Sequence, residues 1–439
     1  MHAMLCRGTA AIAIHATQLA FALPPFILLA FAPTCCAEDW PTFRGPHRTA
    51  VAPDTNLLEA WPADGPPLVW QTAGAGRGYA SLAIAGNRIY TLGDEPSTAT
   101  DADEYLTCFD RATGKQVWMT KTGPAWNEGQ ESWRSSRSTP TVDGRLVYVL
   151  SAFGKLLAFE TKDGKEVFQV DLKAQYGGMK GDSWGYSESV LIDGNALVCT
   201  PGGDKATMIA LNKHNGTLFW ACPVEGGRGA GHASIVISSL KGRKIYVQTT
   251  ASGALGVDAK TGTLLWTYPI EQTTAVIPTP IVRDDLVFFS AGYRRGGALL
   301  RQVAGPSGSV AIEEIYGLKQ DLANKHGGVV LVGDYLYGDS DDKGILFCAE
   351  LMTGNVVWKQ RGSGKGSASV VAADGHIYVR FADGTLALVK AAPEAYAEIS
   401  AFQIPHIENR PSWSHAVVLD GRLYLREQDA IVCYDILNK

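Results

Sequence analysis

A glycine followed four residues later by an aromatic recurs along this chain. It appears as "RATGKQVWMT" (Gly114, Trp118), "TKDGKEVFQV" (Gly164, Phe168), "KHNGTLFWAC" (Gly216, Trp220), "AKTGTLLWTY" (Gly262, Trp266) and "LMTGNVVWKQ" (Gly354, Trp358). Successive glycines stand 50, 52, 46 and 92 residues apart, and the last gap is twice 46. A further copy is due at Gly308, with Ile312 in the aromatic slot. One more step reaches Phe402, and one step back from Trp118 reaches Trp70. A repeat of about 40–50 residues with strand chemistry means propeller blades, each of which needs neighbours to bury its faces.

The second copy shows four short strands: "STPTVDG", "RLVYVLS", "KLLAFET" and "KEVFQVD". Apolar residues alternate with period two, and the separators carry the Gly and Asp of hairpin turns. Forty-eight glycines in the chain exceed the usual share of roughly 7% and fit so many turns. An acid or Asn stands four residues before each repeat glycine (Asp110, Glu160, Asn212, Asp258, Glu350), placed to accept hydrogen bonds from the turn ahead. The aromatic then enters the outer strand, where it can pack on the neighbouring blade. The C-terminus supplies three strands without a fourth ("SHAVVLD", "RLYLRE", "AIVCYD"), while the Trp70 segment is a fourth strand without its first three. Joining them closes a ring. The expected fold is all-β: an eight-bladed β-propeller of four-stranded blades over residues 38–439, the N-terminal strand completing the C-terminal blade.

Residues 1–37 read as a signal peptide: Arg7, a long apolar run, then Cys35 and Ala37 as small residues ahead of "EDWP". An uncleaved anchor is a weaker reading because Pro24-Pro25 would break a spanning helix. A lipid on Cys35 or Cys36 is weaker still, since neither follows an apolar residue and two small ones. A periplasmic or secreted location follows. The net charge of -5, with no long basic run, excludes a nucleic-acid partner. Five cysteines remain, an odd number, and Cys108, Cys348 and Cys433 share one strand slot that reads as packed core. "DSDDKGILFCAE" (Asp339 to Glu350) imitates a calcium loop, but Lys343 stands at a ligand position and strands flank it. The acidic stretch carrying Asp94, Glu95, Asp101, Asp103 and Glu104 reads as a solvated hairpin tip. "GGRGAG" and "GSGKGS" open no helix and are not phosphate loops.

The segments that begin each blade are where polar and aromatic residues concentrate. They supply Arg134 and Arg137 beside Trp133, Trp184 and Glu188 beside Tyr186, His232, His326 beside Lys325, Lys365, and Trp413 with His415; Tyr79 adds a further ring. First strands line a propeller's channel, so these side chains converge on one mouth. Imidazoles, guanidiniums and indoles on one axis suit a small anionic or quinone-like ligand. A water-filled plug of hydrogen bonds is the equally open alternative. No metal set is read from the three histidines, which come from blades four, six and eight.

The motif AxxxTGxxxW, seen as "ALGVDAKTGTLLW", resembles the pyrroloquinoline-quinone (PQQ) repeat, carried by eight-bladed quinoprotein alcohol dehydrogenases and by BamB-type outer-membrane assembly proteins. "DWPTFRGPHRTAV", "KHGGVVLVGDYLYG" and "GRLYLREQDAIVCYD" are similar to exported bacterial propellers of the PQQ-binding-like kind. For the enzymes, the resemblance implies PQQ held between a tryptophan and a disulfide of adjacent cysteines, with calcium on Glu, Asn and Asp and a catalytic Asp. The only adjacent pair here, Cys35-Cys36, lies in the signal peptide, and no acidic set carries over. Enzymes and non-enzymes share the repeat, so it does not decide activity. The expectation is an exported, non-catalytic binding or scaffold propeller with no assured cofactor. Its partner is expected to be a protein, a peptide or a cell-envelope component, with membrane contact only through an uncleaved signal or a lipid. The alternative is a PQQ- and calcium-dependent alcohol dehydrogenase with a divergent channel site. Hydrolase chemistry has only scattered His and Asp behind it.

Overall fold

The period-two segments pair into eight four-stranded antiparallel sheets. The structure is a computed structural model describing residues 39–95, 102–271, 274–406 and 410–439; the expected signal peptide, with Cys35 and Cys36, and Asp101 lie outside them. Blades 1 to 7 occupy residues 83–124, 141–171, 191–222, 236–269, 281–319, 329–361 and 368–403. Blade 8 joins residues 417–435 to the strand Leu68–Thr72, which pairs antiparallel with Ala430–Asp435 and sets Trp70 opposite Cys433. The ring closes as the strand count requires. The described residues belong to one compact unit, Ala37–Lys439. Its single α-helix among the described residues is Leu172–Tyr176.

The repeat glycine has two jobs. Gly114, Gly164, Gly216, Gly262 and Gly354 all hold positive φ, between 62° and 72°. Each also lies under an aromatic of the preceding blade: Trp70, Trp118, Phe168, Trp220 and Tyr316 respectively. A Cβ there would come within 2.5–2.9 Å of those rings, so any larger residue would push the blades apart. Trp118 and Trp220 also donate their indole N–H to the next blade, at Thr161 O (3.1 Å) and Ala259 O (3.2 Å). The acid ahead of the glycine caps the turn at Asp110, Asn212 and Asp258. Glu160 pairs instead with Arg145, and Glu350 accepts only from the Thr353 hydroxyl.

Two slots differ from the sequence reading. Ile312 stands opposite Gln302, in register, but the ring that covers Gly354 is Tyr316, and nothing covers Gly308. Trp266 instead donates to the Gln302 amide oxygen (3.1 Å). In blade 7 the aromatic position opposite Leu388 is Ser400, not Phe402. Phe402 stands two residues on and covers Gly65, so the packing survives a shift in register. Apolar side chains form wedges between neighbouring blades, with a larger cluster spanning blades 6, 7, 8 and 1. Cys108, Cys348 and Cys433 sit opposite the slot aromatics, and all five described cysteines are buried and free. The acidic stretch is not a simple solvated tip: Asp94 and Glu104 are buried, Asp94 pairs with Arg77 (3.0 Å), and Glu104 accepts from Thr122 and Ser136 (both 2.8 Å). Asp339 of the calcium-like loop is likewise buried, accepting from Asn324 and the Ala368 N–H.

Candidate functional site

The segment before the first repeat strand builds the site from below. Trp40 O accepts from Ile84 N (2.7 Å) in blade 1, and Pro41 O from Val142 N (2.8 Å) in blade 2. Arg48 donates to Ser189 O (2.7 Å) and Val190 O (2.5 Å) at blade 3. On the far side Arg44 donates to Val329 O (2.6 Å) in blade 6, and Ala50 and Ala52 exchange hydrogen bonds with Ala372 in blade 7. A segment bonded to blades 1–3 and 6–7 of eight must cross the axis, and so it floors the channel. Arg44, Arg48 and Ala50 hold left-handed backbone to make this passage, at a cost of about 1–3 kcal/mol each.

Above this floor lies a cavity of about 190 Å³. Phe43 and Arg44 supply its base, with Thr139, Ser187, Ser189 and Thr279 from the starts of the blades. His232, His326, His415 and Trp413 form walls, and Tyr79, Trp133, Arg137, Trp184, Tyr293, Lys325 and Asp342 complete it. The His326 and Trp413 rings stack at 4.3 Å and 27°, and Phe43 meets His415 edge-on at 4.7 Å. Arg137 lies over both Tyr79 (5.6 Å) and Trp184 (5.7 Å) and donates to the backbone oxygens of Ser135 and Trp133. Tyr293 has φ 56°, held by its N–H donating to Asp341 (2.6 Å), and Lys325 sits over its ring while pairing with Asp342 (2.7 Å).

The histidines are neutral. Burial, with Lys180 nearby, lowers His232 to about 4, and burial lowers His326 and His415 to about 3. His232 Nε2 faces Asp182 (2.8 Å) and Nδ1 faces the Ser187 hydroxyl (2.5 Å). A carboxylate only accepts, so Nε2 carries the proton and Nδ1 accepts from Ser187. Burial raises Asp182, but the His232 hydrogen bond and Lys180 outweigh it and bring the carboxyl to about 2. This Ser-His-Asp chain resembles a nucleophile relay only in connectivity. Burial, with Lys180 nearby, leaves His232 a weak base at neutral pH, far from the matched pKa that general-base catalysis needs.

Six of the nine residues expected at the mouth meet in the cavity: Arg137, Trp184, His232, His326, Trp413 and His415. Three do not line it. Glu188 lies between Ser187 and Ser189 and points the opposite way, as strand alternation requires; it is buried, accepting from Thr200 N (2.8 Å), and burial raises it to about 8. Arg134 reaches back to Gly129 O (3.2 Å), and Lys365 is exposed. Sequence reasoning missed Phe43 and Arg44, which carry no repeat to align, and Tyr293 and Asp342, which sit in hairpin turns far along their blades. Tyr293 left no pattern to find, and Asp342 lies in the calcium-like stretch that reads as structural. Among the described residues no group of three His, Cys, Asp or Glu is arranged to hold a metal ion, and no helix is long and apolar enough to cross a membrane.

The sequence model described as outer membrane protein assembly factor BamB matches residues 102–360. The outer membrane protein assembly factor BamB of Burkholderia pseudomallei (strain K96243) is 26% identical over 376 residues, covering 74% of this chain and 94% of its own. Among solved structures, BamB from Moraxella catarrhalis superposes with a TM-score of 0.57 at 16% identity, covering 85% of this chain and 98% of that one. A europium-containing methanol dehydrogenase reaches 0.62 at 10% identity, covering 88% and 89%. Such low identities carry the fold and nothing of the activity. With more than half of its length matched by one family, the chain belongs to the PQQ-repeat propellers described as outer membrane protein assembly factor BamB.

Proposed function

We propose that this protein is an exported, non-catalytic propeller that serves as a rigid binding scaffold for a protein partner in the cell envelope. The observation that carries this reading is the state of the channel's reactive groups. Asp182, His232 and Ser187 are tied to one another, and Asp342, the one carboxylate lining the cavity, is paired with Lys325. What remains is a floored cup with a wide rim of blade-connecting loops, which suits recognition better than turnover. The family and its named assembly factors support the same reading.

The PQQ-dependent alternative fits these residues poorly. Residues 38–439 contain no adjacent cysteines to stack on a quinone. A calcium ion needs several free oxygen ligands, whereas Arg44, Arg137 and Lys325 make the cavity cationic. One experiment separates the readings. A photo-crosslinking side chain at the exposed positions Glu131 and Lys365, beside the starts of blades 2 and 7, is expected to capture the same envelope protein from both sites in intact cells. Capture from neither, together with PQQ- and calcium-dependent dye reduction on a panel of alcohols, would overturn the scaffold in favour of the enzyme.

A further inference from the structure

The floor of the cavity contains a charge with nothing of opposite sign to meet it. Arg44 is only 3% exposed. Its Nε donates to Arg48 O (3.2 Å) and its Nη2 to Thr49 O (3.1 Å) and Val329 O (2.6 Å), which fixes the plane of the guanidinium. No carboxylate pairs with it among the described residues, in contrast to Arg48, whose charge has Glu188 nearby. Its third nitrogen, Nη1, is buried and has no partner. That atom lies over Gly328, where an added Cβ would stand 2.5 Å from it and 3.8 Å from the His415 ring. Gly328, Arg44 and His415 all line the cavity, which places the unused donor at its wall.

Two more lining groups are in the same condition. The Trp413 indole N–H is buried without an acceptor, and so is Nδ1 of His415. Burial keeps the His415 ring neutral, so its unpartnered Nδ1 offers a donor or an acceptor according to the tautomer. The cavity thus presents a cationic donor, a neutral donor and an imidazole nitrogen open to either role, between flat walls made by the His326–Trp413 stack and by Phe43. Nearly all buried polar groups in proteins are satisfied, and a buried guanidinium recognises planar oxyanions best.

We propose that the cavity binds a small flat carboxylate, its anionic end on Arg44 Nη1 at the channel floor and its ring or unsaturated body against the His326–Trp413 stack. Trp413 Nε1 supplies a second donor, and His415 Nδ1 meets a hydroxyl where the acid carries one. The site opens toward the loops proposed to dock a protein, but it stands whether or not they do, since its contacts are with groups inside the channel.

Titration calorimetry of the purified propeller with sodium benzoate, benzyl alcohol and inorganic phosphate tests this directly. Saturable benzoate binding is expected, with benzyl alcohol about tenfold weaker or more, as loss of a charge-assisted hydrogen bond implies. Arg44→Met should abolish the preference for benzoate over benzyl alcohol. Because Arg44 also holds the floor, Trp413→Phe is the second variant: it keeps a smaller aromatic ring beside His326 and removes the N–H, and it should weaken benzoate about threefold to tenfold. Equal binding of benzoate and benzyl alcohol would overturn the assignment of an anion site. Phosphate binding tighter than benzoate would overturn the flat-acid class, and no heat with any of the three would overturn the site itself. Crosslinking from Glu131 and Lys365 is unaffected by each of these outcomes, so the scaffold and the acid site fail separately.

Discussion

Two arginines are sealed in the hub of this ring and are used in opposite ways. Arg426, at the seam where blade 8 meets blade 1, spends every nitrogen. Nε donates to Gln428 O (3.0 Å), Nη1 to Ala80 O, Thr91 Oγ1 and Leu92 O (3.1, 3.1 and 2.7 Å), and Nη2 to Ala75 O and Gly76 O (3.3 and 2.8 Å). Arg44, on the cavity floor, leaves one nitrogen unmatched. Burial lowers both to about 10, so both stay charged at neutral pH. A buried cation whose donors all meet oxygen acceptors rivets two blades together. One left short carries a penalty of about 1–3 kcal/mol. The seam is built for the fold, and the floor keeps something back from it.

The seam gives the largest expected effect. Arg426→Met leaves the carbonyls of Ala75, Gly76, Ala80 and Leu92 short of a donor and should cost about 4 kcal/mol or more in urea unfolding followed by far-ultraviolet circular dichroism. A loss below about 1 kcal/mol would end the rivet interpretation. Arg44→Met should cost less, about 2 kcal/mol, because the lost bonds to three carbonyls are offset by removal of an unpaired buried charge. Equal losses at the two sites would erase the contrast.

Acidity sharpens it in another way. The cavity holds His232, His326 and His415 neutral down to about 4, 3 and 3, while unfolded histidine titrates at 6.5. Their contribution is whole above pH 6.5 and is lost as the pH falls toward those values. Burial acts oppositely on Glu104, Asp339 and Glu188, which keep their protons to about 7, 7 and 8 when folded but ionise at 4.5, 3.8 and 4.5 when unfolded. Their contribution declines as the pH rises through that window. Each unmatched proton changes stability by about 1.4 kcal/mol per pH unit. The two slopes oppose between 4.5 and 6.5, so the melting temperature should be flat there and fall on both sides. A steady rise from pH 5 to 8 would show that the buried carboxylates are ionised in the folded ring.

The same division governs what could be read from sequence. The blades were legible because one packing contact, an aromatic over the next blade's glycine, repeats with the residues that make it. Where that contact changes partners, the reading slipped: Gln302 draws Trp266 away from Gly308, and blade 7 moves its ring from the Ser400 slot to Phe402. At the channel, chain position located the blade starts but not side-chain direction. Glu188 and its serine neighbours differ by one residue and face opposite ways, which a list of polar residues cannot express. Arg44 was illegible for a different reason. Its place depends on a non-repeating segment finding its way across the axis, and nothing local in "PTFRGPH" encodes blade 6 as its destination.

The finest distinction between seam and floor comes from removing one hydrogen-bonding group at each. Thr91→Val at the seam deletes an acceptor of Arg426 Nη1, whose other bonds to Ala80 O and Leu92 O remain. The expected loss is about 1 kcal/mol. Trp413→Phe deletes an indole N–H with no partner, and the ring still stacks on His326. Removing a buried donor that bonds nothing relieves its desolvation, which offsets the smaller ring, so the variant should fall within about 0.5 kcal/mol of wild type. Paired melting curves decide it. If Trp413→Phe loses as much as Thr91→Val, its N–H is satisfied inside the folded ring and the cavity holds one donor fewer for a ligand. If it melts with the wild type while benzoate binding weakens, the cavity gives up stability at that position for recognition, and the seam does not.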